Sequence, residues 1–113
     1  MAKVEIVRSL FEQIKKKFKA ESHKVIDLLE SLEGSPQKGK LLSTVAGIII
    51  KELRYKGFRF YFITDGTKLK CIDQETLVDL LLRFVRMSDK KHQQKTIEEI
   101  KQVLKTIGAG GFK

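Results

Sequence analysis

His23, His92 and Cys71 are the only imidazoles and the only thiol among the 113 residues, and their placement assembles neither a metal site nor a nucleophile with its base. One cysteine permits no intramolecular disulfide and no cysteine-based zinc site, which suits a reducing cytoplasm. Cys71 stands far from His92 in sequence and reads as an inert strand residue. His23 has no second ligand at metal spacing and reads as a helix-surface residue. No phosphate-binding glycine loop and no Ser-His-Asp arrangement can be drawn. The expectation is a protein without metal or cofactor.

What the chain offers instead is positive charge. Lys and Arg number 23 against 14 Asp and Glu, a net +9. Residues 34–64 carry six basic groups and one acid, residues 83–95 carry five basic groups and one acid, and the remainder cancels. Brought side by side, the two stretches make one positive face for a polyanion. A length of 113 residues and 42% apolar content predict one globular domain over residues 1–113. The longest apolar run, Val45 to Ile50, is far short of a membrane span, and the first residues have no apolar signal core. A cytoplasmic protein with no membrane partner is expected.

These residues must be positioned by a small set of elements. Val4 and Ile6 alternate with polar neighbours, predicting a short edge strand over 2–7. Ser9 as N-cap opens a helix with Leu10, Phe11, Ile14 and Phe18 on its apolar stripe. Val25, Ile26, Leu28, Leu29 and Leu32 repeat the pattern up to the stop at Gly34-Ser35-Pro36. A loop over 34–44 follows. Ile48 to Ile50 and Gly57 to Ile63 read as strands, with Phe58, Phe60 and Phe62 toward the core and Arg59, Tyr61 and Ile63 away from it. Asp65-Gly66 predicts a type I′ turn returning through Thr67 to Ile72, and Leu77 to Arg86 predicts a central strand. Thr96-Ile97-Glu98-Glu99 has the form of a capping box opening a last helix with the stripe Ile97, Ile100, Leu104 and Ile107, closed by Gly108. The tail 109–113 is expected to fray. The fold class is α+β: one small domain, an antiparallel sheet packed against an N-terminal helical hairpin and a C-terminal helix.

The segment Glu52-Leu53-Arg54-Tyr55-Lys56-Gly57-Phe58-Arg59-Phe60-Tyr61 resembles the RelE/ParE superfamily of toxins: a Leu-Arg, a short turn with Gly, an aromatic-Arg pair and a Tyr two residues later. The resemblance extends over the lysine-rich helical hairpin before it and the basic stretch Arg86 to Lys95 after it, which is similar to the HigB-like branch. It implies a RelE-like fold and a toxin that enters the ribosome and cuts messenger RNA, with a cognate antitoxin protein, the ribosome and mRNA as partners. In such cleavage the RNA 2′-hydroxyl attacks its neighbouring phosphate, so the protein must orient the backbone, neutralise charge and move two protons. The resemblance implies catalytic roles for Arg59 as phosphate clamp, for Tyr61 in stacking or proton passage, and for His92, an imidazole at the start of the last helix. It implies phosphate contacts for Arg54, Lys40, Lys51, Arg86, Lys90, Lys91 and Lys95.

Departures from the family pattern lie at Ile50 and Glu52, where lysines are expected, and at Gln94 to Ile97, where a tyrosine is expected. Glu52 is open to two readings, a base or an ion-pair partner of Arg54 or Lys51. The alternative to the nuclease is a non-catalytic protein of the same fold, a gyrase inhibitor or a degenerate nucleic-acid-binding toxin.

Overall fold

The computed structural model describes residues 2–66 and 80–113. A five-stranded sheet forms its middle layer, in the order β1-β5-β4-β3-β2, built from β1 (Lys3–Ile6), β2 (Lys40–Val45), β3 (Ile48–Tyr55), β4 (Phe58–Asp65) and β5 (Leu81–Asp89). Among the described residues three α-helices accompany it: α1 (Arg8–Phe18), α2 (Ser22–Glu30) and α3 (Gln93–Thr106). The α+β class holds, but the sheet is mixed. β1 runs parallel to β5, Lys3 opposite Leu81, because the helical hairpin carries the chain back before the antiparallel strands begin. The run predicted as a loop over 34–44 contains the start of β2, a strand whose alternation is hidden by an irregularity between Leu41 and Ser43.

Two hairpins turn on left-handed pairs, Ala46 (φ 50) with Gly47 (φ 83) and Lys56 (φ 45) with Gly57 (φ 84), as a two-residue type I′ turn requires. Asp65-Gly66 is no such turn. Neither residue has a left-handed φ, and the Gly66 N–H donates to the Gly47 carbonyl. The predicted return strand Thr67 to Ile72, with Cys71, lies outside the described residues, as do Leu77 to Asp79. Within them the central strand begins at Leu81 and runs to Asp89, three residues past the expected end.

The first helix starts at Arg8, one residue before the predicted Ser9 cap. Its N-cap position is Val7, which has no side-chain cap bond, and Lys15, Lys16 and Lys17 complement the dipole in its last turn. Leu10 and Ile14 are buried, while Phe11 is exposed. Phe18 packs edge-on against Tyr55 and Phe58, seating α1 on the phenylalanine face of β4. Lys56 Nζ meets Glu21 Oε1 at 2.8 Å, tying the tip of the β3–β4 hairpin to the connection between α1 and α2. The last helix begins at Gln93, before the predicted box: Asp89 accepts the His92 N–H, and Thr96 sits inside the first turn with its hydroxyl on the His92 carbonyl. Ile100 and Leu104 are buried as expected, but Ile107, after the helix, is 72% exposed.

Arg59, Tyr61 and Ile63 were expected to face away from the core, yet all three are buried. α3 packs on this second face: its Glu99 binds Arg86, and the carbonyl of Ala109 beyond it accepts from Arg83. β4 is therefore covered on both sides. The tail does not fray. Phe112 is only 4% exposed, lies under the Arg86 guanidinium at 5.1 Å, and is followed by Lys113, whose carbonyl accepts the Ser9 N–H. Phe112→Ala should therefore cost about 3 kcal/mol, as large-to-small core substitutions do. Urea denaturation checks this, and a loss within a few tenths of a kcal/mol would return the tail to the frayed state.

Candidate nucleic-acid interface

Strand register brings the cationic residues together. Opposed residues of an antiparallel pair share a face. Lys40 lies opposite Glu52, Glu52 opposite Tyr61, and Tyr61 opposite Arg86, forming one row across β2, β3, β4 and β5. Two residues along, Arg54, Arg59 and Ser88 form the next row on the same face. Between Tyr61–Arg86 and Phe62–Phe84 the register slips, leaving Val85 as an extra residue. That bulge is why Arg83 and Arg86, three positions apart, both lie on the face of Ile63 and Tyr61.

Arg59 is the centre of the second row. It is 6% exposed, its Nη1 donates to the Gly57 carbonyl at 2.8 Å, and its buried Nε has no hydrogen-bond partner. Among the described residues no carboxylate lies within ion-pair distance of it. Buried charges are ordinarily paired, and among the described residues this guanidinium has no carboxylate partner. Arg54 is more than half exposed and reaches back to the buried carboxylate of Glu52 at 3.5 Å. Of the two readings of Glu52, the ion pair with Arg54 is the one formed.

Tyr61 is fully buried and its hydroxyl shares a 2.7 Å bond with Ser88 Oγ. Burial, first, pushes the phenol above its usual range, with the Ser88 bond acting the other way. The ring has no open face for a base to stack on. Its geometric role is to hold Ser88 beside Arg59.

His92, Lys90, Lys91 and Lys95 follow the end of β5, at the hairpin-tip end of the sheet where Asp89 lies opposite Phe58. All four are exposed. His92 is held by Asp89, whose Oδ1 takes the backbone N–H at 2.9 Å and Nδ1 at 2.8 Å, and the bond from His92 keeps the Asp89 carboxyl below its usual range. Among the described residues Nε2 makes no hydrogen bond. Arg86 is half engaged, with Nε on Glu99 and Nη1 on the Val85 carbonyl. Lys51 is not part of the cluster. It lies opposite Phe62 on the other face, buried, donating to the Gln37 carbonyl at 2.9 Å over the Phe62 ring, and burial lowers its pKa.

Sequence reasoning passed over Ser88 and Asp89, which hold Tyr61 and His92. The Asp-x-x-His spacing of an Asx-type turn before a helix is the signal that could have found the second. No cluster of His, Cys, Asp and Glu suited to a metal occurs among the described residues, and no helix among them is long and apolar enough to cross a membrane. Comparison with protein-family models, with curated proteins and with solved structures gave no match.

Two outcomes follow from the geometry. Arg59→Met keeps the buried stem and removes the uncompensated charge, and the Gly57 carbonyl it releases lies in an exposed turn. Stability in urea should hold or rise by about 1 kcal/mol; a fall of several kcal/mol would show that the charge is compensated inside the fold. Tyr61, with its pKa raised above the ordinary 10.0, gives a pH dependence. Above about pH 10 an unfolded tyrosine releases its proton before the folded one. This contribution is therefore whole below that pH and lost as pH rises through the folded value. Wild type should lose stability relative to Tyr61→Phe as pH rises above about 10, and parallel curves would exclude it.

Proposed function

We propose that the chain is a toxin of the RelE type, a metal-independent endoribonuclease that cuts messenger RNA on the ribosome and is silenced by a cognate antitoxin protein. The observation that carries this reading is Arg59: a buried guanidinium with no carboxylate partner among the described residues, flanked by Arg54, at the hairpin-tip end of the sheet where Lys90 and Lys91 also lie. A planar fork of donors in a sheltered place is what a phosphate needs as its charge develops. In the reaction the 2′-oxygen forms a bond to phosphorus and the bond from phosphorus to the 5′-oxygen breaks. One proton leaves the 2′-hydroxyl and one arrives on the leaving oxygen. Arg59 would hold the phosphate oxygens, and His92, fixed through Nδ1 by Asp89, would exchange a proton at Nε2.

A second reading has its own support. Tyr61 is buried and Glu52 is closed into an ion pair, so of the groups named for proton transfer only His92 is open to a substrate. That favours a non-catalytic protein of the same fold, binding nucleic acid or gyrase.

Cleavage on translating ribosomes, read beside growth arrest, separates the two. Arg59→Met should slow cleavage by about 10² to 10³, the usual cost of removing a preorganised donor. His92→Ala should slow it by roughly 10² to 10⁴. A wild-type chain that neither cuts RNA nor arrests growth would sink the toxin reading. Arrest that survives Arg59→Met with RNA intact would select the binding protein.

A further inference from the structure

Arg86 is met by the fold from three sides. Its Nε donates to Glu99 Oε1 at 2.8 Å, its Nη1 donates to the Val85 carbonyl at 2.8 Å, and its guanidinium lies 5.1 Å from the centre of the Phe112 ring. Among the described residues Nη2 makes no hydrogen bond. The contact with Glu99 uses one carboxylate oxygen and one nitrogen, so it lacks the two parallel bonds of which a guanidinium fork is capable.

We infer that Glu99 is an internal stand-in for phosphate: its carboxylate occupies the Arg86 guanidinium and keeps a second phosphate seat, one residue row from Arg59, closed to RNA. The inference rests on the proposed action on RNA, and it adds a residue that opposes binding. Arg86 lies opposite Tyr61 and Ser88 opposite Arg59, which makes Arg59 and Arg86 diagonal neighbours on one face of the sheet. Such positions are about 7–8 Å apart, within the reach of two arginine side chains toward successive phosphates of one strand.

Carboxylate and phosphate oxygens accept from the same guanidinium donors, so one excludes the other. The pair is also open to water, with 27% of the Arg86 side chain and 52% of the Glu99 side chain exposed. An ion pair so exposed is weakly held and can be separated at small cost. Glu99 reaches Arg86 from an exposed position of α3, where Gln keeps the length, the helix preference and an oxygen for Nε while removing the charge. Glu98, the preceding residue, carries the same charge without that contact: it is 58% exposed and accepts from Gln94 and Lys101.

The test is binding of the full chain to a labelled single-stranded oligouridylate, followed by fluorescence anisotropy over a series of salt concentrations, so it does not depend on cleavage. Glu99→Gln should bind about threefold tighter than wild type. Its plot of log K against log salt should steepen by about 0.7, the counterion release of one more phosphate on a single strand. Glu98→Gln makes the same change in net charge and should give less than half of that gain, and in an Arg86→Met chain Glu99→Gln should lose most of its effect. Equal gains from Glu98→Gln and Glu99→Gln, a gain that persists without Arg86, or unchanged or weaker binding by Glu99→Gln would overturn the stand-in. If Arg59→Met weakens RNA binding while Glu99→Gln changes nothing, the stand-in falls and the toxin reading stands. If Glu99→Gln gains through Arg86 but the chain neither cuts RNA nor arrests growth, the stand-in stands and that reading falls.

Discussion

The arrangement depends on one electrostatic constraint, a guanidinium buried at the hairpin-tip end of the sheet with no carboxylate partner among the described residues. Arg59 is held by a single carbonyl at the Gly57 turn, and its Nε is left over. Such a group weakens a fold more than an apolar residue of the same shape would. Arg54 pairs with the buried carboxylate of Glu52, and among the described residues that carboxylate makes no ion pair with Arg59. The Tyr61–Ser88 bond fills the space beside it without supplying charge.

Register converts that local condition into a surface. Because β3, β4 and β5 are paired without interruption near the hairpin tip, residues far apart in sequence fall into rows, and the slip at Val85 realigns the two β5 arginines onto the face of the row. The tip itself is braced from the other face by Phe18 and by the Lys56–Glu21 contact. Arg54 thus projects from, and Arg59 is tucked into, a hairpin anchored at both its rings and its turn.

Much of this was legible in the residues. The Phe58-Phe60-Phe62 alternation located β4 and the face toward α1, and periodicity located the first strand, the helical pair and the last helix. Burial of the opposite face was not legible, because Arg59 and Tyr61 between phenylalanines look like the wet side of a half-covered strand. Only the return of α3 across them changes that. Irregular pairing hid the rest. An extra residue in β2 broke the alternation of Leu41, Leu42 and Ser43, so a strand read as loop, and the extra Val85 blurred the end of β5. At the site, residue types pointed to Arg59, Arg54 and His92. Lys51 could be sorted from them only by knowing which face it takes, since it neighbours Glu52 in sequence and opposes it in space.

The parallel seam between β1 and β5 also orders events in time. Lys3 must find Leu81, so the edge of the sheet closes across nearly the whole chain, whereas the β2–β3 and β3–β4 hairpins close locally through two-residue turns. During synthesis the hairpin bearing Arg54 and Arg59 can form early. Ser88 and Asp89, which complete its surroundings, join only after β5 has left the ribosome. A nascent chain therefore carries Arg54 and Arg59 well before it carries Ser88, which lies opposite Arg59 in the finished sheet.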